Sequence, residues 1–323
     1  MRGRYSRALI RRLLFLLAGN MVLLAAIWLV MKEGGSFSQV LLRAGPNVAP
    51  AAIAGIGLTG IIFAGAIDLS IASIIVVAGT VFGILVSRGV PPWACFLACI
   101  LTAWSLSMLN GCLVRFLKIP AIIITLAGLA FYRGFALIVA DLGVANFSGN
   151  ISVQDESFHG PGKIYAGVIL VVVLAFAGAW EWYAKSPRRW LALGNSEEAC
   201  RLLGVPPGPV LQNAFCVGGI FLGLAALIFS TRVQAIEPAR MALGFELQVI
   251  GAVVLGGTDI FGGEGSYAGT VLGAFFLYLI LELLIYAAVN PYFQELITGA
   301  IIIAVIGFDC AWHRKEKWLA ELS

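Results

Sequence analysis

Seven ionisable side chains stand at or near long apolar runs: Asp68, Arg133, Asp141, Glu246, Asp259, Glu282 and Asp309. Charge in such surroundings is costly, so these residues face a protein interior or an aqueous cavity. Asp68 admits two readings. With Gly65 before it and Ser70 after it, it marks a break between two apolar helices. Backbone groups freed there need partners, and broken helices of this kind line transport paths. It also fits an N-terminal acceptor capping the following helix at the cytoplasmic surface. The cap is the preferred reading. Arg133 and Glu246 fall toward the outer half, where each either touches a solute or pairs with a neighbour. Asp259 and Asp309 fall at cytoplasmic ends and are expected to be solvated. Hydrolytic and metal chemistry find little support. The two histidines, His159 and His313, belong to opposite sides of the membrane, and none of the six cysteines shows a C-x-x-C spacing. The cysteines read as small apolar core residues.

Two further segments are richer than apolar filler. The loop KSPRRWLALGNSEEACRLLGVPPGPV starts with a helix breaker at Pro187 and carries a short helix. Ser196 is its expected N-cap, with Glu197 and Glu198 in the first turn beside the positive end of the helix dipole. Gly204 closes it, followed by Pro206 and Pro207. Such a self-contained helix serves either to press on a soluble partner or as an amphipathic connector. The second segment, LQVIGAVVLGGTDIFGGEGSYAGTVLGAFF, invites nucleotide readings that fail. Gly263 and Glu264 occupy the Lys and Ser/Thr places of a P-loop. The G-x-G-x-x-A run starting at Gly263 follows no strand of a βαβ unit. Gly265, Gly269 and Gly273 instead form a tandem GxxxG that admits a closely packed helix, and Gly219/Gly223 and Gly79/Gly83 repeat the device.

The elements that position these residues follow from composition. Of 323 residues, 60% are hydrophobic and 12% charged, against roughly 25% charged in a soluble domain. That excludes a soluble enzyme, a disordered chain and a nucleic-acid binder, and the apolar runs lack the alternation of a membrane β-barrel. The expectation is an all-α polytopic membrane protein with about ten transmembrane helices, each near the 20 residues that span a bilayer. They are Leu13–Met31, Val48–Ala66, Ile71–Val86, Trp93–Val114, Ala121–Ala140, Ile164–Tyr183, Gln212–Thr231, Leu243–Thr258, Ala268–Val289 and Tyr292–Asp309. The 19-residue first run exceeds a cleavable signal core, so it reads as an uncleaved signal-anchor. With the N-terminus inside, 14 of the 21 Lys and Arg fall on the cytoplasmic side, which supports that orientation. The chain reads as one permease domain, 1–323, with a basic cytoplasmic N-terminus (1–12), a cytoplasmic loop (185–211) and a cytoplasmic tail (310–323).

The residues then point to a family. Glu198-Ala199-Cys200-x-x-x-Gly204 is similar to the EAA---G loop of ATP-binding-cassette importer permeases, with Cys in place of the second Ala. The segment from Glu246 and Leu247 through Gly256, Gly257 and Thr258, then Gly262, Gly263, Gly265, Ser266, Gly269 and Thr270, resembles the signature of the ribose/xylose/arabinose-type permeases. Gly65, Asp68, Leu69 and Ser70 match as well, with Ala66 and Ala72 where the family usually has Gly. So do Asn110, Gly111, Pro120, Thr125, Leu126, Arg133 and Gly134, then Leu193-Gly194-Asn195, and Pro291, Tyr292 and Gln294. The resemblance runs from about Gly45 to Gly307.

It implies a transport subunit and no enzyme: a monosaccharide importer's path in a bacterial inner membrane. Glu197, Glu198, Ala199, Cys200, Leu203 and Gly204 would form a coupling helix that docks on a separate cytoplasmic ATPase, which binds ATP and Mg; this chain would hold no cofactor of its own. Asp68, Ser70, Asn110, Thr125, Arg133 and Glu246 are the path candidates. Further implied partners are a second permease chain, identical or a divergent sibling, and a periplasmic or lipid-anchored solute-binding protein. Branched-chain amino acid and nucleoside permeases share the architecture. An ion-coupled secondary transporter is a weaker alternative, since no inverted repeat is evident.

Orientation is testable. With single cysteines at Ser196→Cys and Ser148→Cys in otherwise cysteine-free chains, an impermeant thiol reagent added to intact cells should label position 148 and spare position 196.

Overall fold

The computed structural model describes residues 7–31, 37–144, 151–153, 165–233, 235–304 and 307. His159, His313, Cys310, Asp309, Ser148 and the 310–323 tail lie outside these residues. Twelve helices are described: α1 (Arg7–Val30), α2 (Phe37–Phe63), α3 (Ile71–Ser87), α4 (Pro92–Leu117), α5 (Ala121–Val144), α6 (Ala166–Tyr183), α7 (Ser186–Asn195), α8 (Glu197–Leu202), α9 (Pro207–Arg232), α10 (Phe245–Leu255), α11 (Tyr267–Tyr286) and α12 (Pro291–Ala304). Two short strands, β1 (Ile151–Ser152) and β2 (Ala235–Ile236), pair antiparallel.

Seven helices, α1, α2, α4, α5, α6, α9 and α11, are long and apolar enough to cross a membrane. The chain is thus a multi-pass membrane protein. α3, α10 and α12 are apolar but shorter. The ten apolar helices sit where apolar runs were expected, with shifted ends. α2 begins at Phe37 and not Val48, because Pro46 and Pro50 are accommodated inside the helix. Polar Arg43 and Asn47 are carried on it, with Asn47 Nδ2 donating to the Arg43 carbonyl at 2.8 Å.

α2 is the axis of the fold. Of its most apolar 18-residue window, 89% is buried, whereas α1, α4, α5 and α6 bury a third or less of theirs. Those four present large side chains such as Phe15, Trp93, Phe131 and Val171 outward, toward lipid or another chain. In a lipid solvent, burial between helices gains little transfer energy, so close packing and polar contacts hold them together. Small residues let the backbones approach. On α11, Gly269 and Gly273 lie against the Gly256 and Ala252 carbonyls at the end of α10. Gly265 does not share that stripe: it precedes the N-cap Ser266 and packs in the turn against Thr258 and the Phe63 ring. Gly219 and Gly223 on α9 bring that helix onto Trp104, Ser107 and Ile100 of α4. Ser107 Oγ donates to the Phe215 carbonyl at 2.9 Å to close the same seam. Gly79 admits α9 at Ser230, together with Met241, whereas Gly83 receives Ile236 and Ile151 of the paired strands.

The two ends of the bundle differ. Ile151 and Ile236, from the paired strands, pack on Gly83 near the C-terminus of α3. The α2–α3 break and the α7–α8 pair lie at the other end, about 18 Å from Gly83 along α3 at 1.5 Å per residue.

Filling the α10–α11 seam should be costly. Gly269→Val would drive a side chain into the Gly256 carbonyl and should lose about 1–3 kcal/mol or more of stability, as overpacked interiors do. Gly178→Val, where an added Cβ meets nothing, should melt like the native chain in detergent; equal melting of both variants would contradict the seam.

Candidate functional site

The loop between α6 and α9 builds two helices where one was expected. Pro187 does not break a helix: it sits in the first turn of α7, where its missing N–H is one of the orphans anyway and its fixed φ suits the helix. α7 is amphipathic. Trp190 and Leu193 are buried, while Arg188 and Arg189 face out. The Trp190 ring lies against Gly60 of α2, and Tyr267 stacks obliquely on Phe63 beside it, ring centroids 5.3 Å apart.

α7 passes directly into α8 through Ser196, which ends one helix and caps the next. Its Oγ accepts from the Ala199 N–H at 3.1 Å. Glu197 and Glu198 occupy the first turn of α8, and Glu197 pairs with Arg201 across it. Both members of that pair are exposed, so it contributes little. Gly204 follows with φ +73°, the left-handed conformation that glycine takes without strain. Cys200 is buried and anchors the helix, while Glu198, Ala199, Leu202 and Leu203 are exposed. Leu202 and Leu203 are both more than 80% exposed.

The C-terminus of α7 is sewn to two other segments. Gly194 lies so close to the Phe63 carbonyl and the Gly262–Gly263 backbone that a Cβ could not fit. Asn195 Nδ2 donates to the Gly263 carbonyl at 2.9 Å, and the Gly263 N–H donates to the Phe63 carbonyl at 3.2 Å. Thus α7, the end of α2 and the glycine-rich turn 259–265 form one knot. Within the turn, Asp259 Oδ1 accepts from the Phe261 N–H at 2.9 Å.

Directly beyond the knot the chain breaks, at residues 64–70 between α2 and α3. Asp68 is here, and it is not a surface cap. It is fully buried, and the N-cap place belongs to Ser70, which has helical dihedrals and makes no side-chain cap bond. Asp68 Oδ1 accepts from both the Ser70 N–H (2.8 Å) and the Ser70 hydroxyl (2.6 Å). Asn110 of α4 donates to Ser70 Oγ at 2.8 Å, and Tyr132 of α5 donates to Asn110 Oδ1 at 2.7 Å. Thr125 donates to the Ile67 carbonyl at 3.1 Å, and Ser73 to the Leu129 carbonyl at 2.7 Å. Four of the six path candidates, Asp68, Ser70, Asn110 and Thr125, therefore converge on the break.

Arg133 and Glu246 do not join them. Arg133 donates to the Pro238 and Met241 carbonyls, at 3.1 and 2.7 Å, and pins the segment before α10. Glu246 lies in the first turn of α10, with one buried carboxylate oxygen that no donor reaches. Glu282 is buried on α11, and Asp141 is exposed near the end of α5. Cys95, Cys99 and Cys200 are buried, and Cys112 and Cys216 half-buried, all with free thiols. Among the described residues no His/Cys/Asp/Glu cluster could hold a metal.

Comparison with known proteins gives this arrangement its context. Residues 42–306 match the family described as branched-chain amino acid transport system / permease component. The chain belongs to this family. The permease is also similar to the autoinducer 2 import system permease protein LsrC of Photorhabdus laumondii, at 32% identity over 78% of this chain and 76% of the relative. The protein of that name from Escherichia coli strain K12 is 31% identical over 81% and 77%. It is a permease subunit of an ATP-binding-cassette importer, as its fold of apolar helices and its relatives agree.

Some of the site was missed from sequence. Tyr132 and Leu202 stood among apolar neighbours with nothing to mark them, and Gly194 and Asn195 carried no role until α7 was seen to exist. The Trp190/Leu193 spacing on a basic segment was the available signal for that helix.

The knot predicts a sharp dependence on Gly194. Gly194→Ala should expose the α7–α8 segment to protease in native membranes, while Asn195→Ala, which leaves the close contact intact, should have the smaller effect. Equal resistance in both variants and the native chain would mean that the knot does not hold the pair.

Proposed function

We propose that the permease forms, with a second permease chain, the path of an importer for a small polar solute of monosaccharide type. The second chain is identical or a divergent sibling. Its relatives named for autoinducer 2 import favour a solute like theirs over a branched-chain amino acid. An extracytoplasmic binding protein delivers the solute, and a separate cytoplasmic ATPase holds ATP and Mg and supplies the energy. Ten helices span the bacterial inner membrane, with both termini and the 185–211 loop in the cytoplasm. Chain 1–323 acts as one domain.

The observation that carries this reading is the α7–α8 pair. α8 turns Leu202, Leu203 and Glu198 outward and is fixed behind by Cys200, a shape suited to a groove on a soluble partner. α7 is bound to the end of α2 and to the 259–265 turn. A push on α8 would therefore reach α2, the most buried helix, without passing through a flexible link. ATPase closure would then shift the helices as bodies between inward-open and outward-open arrangements. Affinity for solute resides in the binding protein, so the path itself needs few polar side chains.

Replacement of Leu203 by Glu separates docking from folding, since the side chain is 81% exposed. The variant should insert and melt normally, lose co-purification of the ATPase, and take up autoinducer 2 at about a tenth of the native rate or less. Unchanged ATPase association would remove α8 as the docking helix.

A further inference from the structure

The polar chain at the α2–α3 break has a property that none of its members shows alone: every hydrogen in it points the same way. An ionised carboxylate only accepts. The Ser70 hydroxyl has one hydrogen, and at 2.6 Å it is committed to Asp68 Oδ1. Ser70 Oγ can then only accept from Asn110, so the Asn110 amide must turn its NH2 to Ser70 and its oxygen to Tyr132. The Tyr132 hydroxyl is left no choice but to donate. Three side chains from three helical elements thus have their donor directions set by one carboxylate, and aligned bonds of this kind strengthen one another. The order needs only that Oδ1 accept: a proton on Oδ1 would turn the Ser70 hydroxyl away, whereas a proton on Oδ2 would leave every bond of the relay in place.

We infer that Asp68 is the positioning residue of a relay, Asp68–Ser70–Asn110–Tyr132, that fixes α4 and α5 to the α2–α3 break. The relay stands on the far side of that break from the α7 knot. This inference rests on the reading of α7–α8 as the unit that receives ATPase closure. Movement received there reaches the end of α2 at Phe63, and five residues later it reaches the carboxylate that orders α4 and α5. The other Asp68 oxygen is buried and without a donor, so the carboxyl is tied to the relay through Oδ1. Gly128 on α5 makes room for this junction, lying against Tyr132, Ser70 and Asn110. Asp68 therefore need not touch the solute. It governs whether α5 follows α3.

The test uses the full-length chain in lipid nanodiscs and in cells that carry its ATPase and binding protein, with autoinducer 2 as the uptake probe. Asp68→Asn keeps the shape and the acceptor for Ser70. Tyr132→Phe removes only the last donor and guards against a folding failure of the first variant. Exchange in Asp68→Asn should stay within a few-fold of native, because the amide oxygen still takes the Ser70 hydroxyl. Hydrogen exchange in residues 64–70 and 121–132 should rise about tenfold in Tyr132→Phe, the fold-change expected when one buried hydrogen bond is lost, with α9 and α11 unchanged. Uptake in that variant should fall by a similar factor while the ATPase still co-purifies. Native exchange in Tyr132→Phe would overturn the relay. Loss of ATPase association with Leu203→Glu is read separately, so failure of the docking helix and failure of the relay give different results. If the native cells take up no autoinducer 2, the solute assignment fails and the exchange results still decide the relay.

Discussion

Where a helix breaks inside an apolar bundle, its freed backbone groups must be satisfied by protein, because lipid offers nothing. The arrangement of this permease depends on how the break at residues 64–70 meets that demand. On one side the Phe63 carbonyl takes the Gly263 N–H. On the other, Asp68 takes the Ser70 N–H and Thr125 reaches the Ile67 carbonyl. Each donor belongs to a different part of the chain. Satisfying the break therefore obliges the glycine-rich turn, α5 and, through Asn195 and Gly194, α7 to gather at one place.

The rest of the packing follows from the low reward for apolar burial in a membrane. α2 cannot be held at the centre by a hydrophobic effect among helices when lipid is as apolar as leucine. It is held by close backbone contact and buried polar bonds. Gly57 of α2 lies on Gly218 of α9, and Gly55 lies on Thr270 of α11. Thr59 and Thr270 share a hydrogen bond at 2.7 Å, and Asn20 of α1 donates to the Leu272 carbonyl at 3.2 Å. Even α4, which exposes Trp93 and Leu97 on one face, is held along its other face by the glycines of α9 and the Ser107 bond.

Much of this was legible in the residue order, and the remainder was hidden for definite reasons. Apolar runs locate helices well because spanning segments admit few alternatives, and the Ser196-to-Gly204 capping pattern is local chemistry that folds as written. The N-terminal half of α2 was lost because Pro46 and Pro50 signal a boundary in water but are tolerated in a buried membrane helix. α7 was lost for the opposite reason: Pro187 marks the start of a helix as often as its end. Asp68 was correctly suspected of sitting at a break but was assigned to the surface, since no local rule reveals that α4 and α5 close over it. The separation of Arg133 from the other path candidates depends likewise on contacts more than a hundred residues apart in sequence.

These constraints bear on how the permease can move. α5 meets the break through Thr125, α3 through Leu129 and α4 through Tyr132, and it leaves Ile122, Ile123, Leu126 and Phe131 facing outward. Its attachment to the bundle joins these polar bonds to a buried stripe through Ala136 and Ala140 and a close contact of Gly143 with Ile84. Sliding α5 by a fraction of an ångström would weaken all of these bonds together and gain nothing. Sliding it by a full turn could exchange them for others. A helix held in this manner has discrete resting places, because packed and hydrogen-bonded interfaces switch more readily than they stretch. The same break that needed partners to exist inside the membrane is therefore well placed to let the bundle occupy separate states, and the bonds that satisfy it are those that must be exchanged in passing between them.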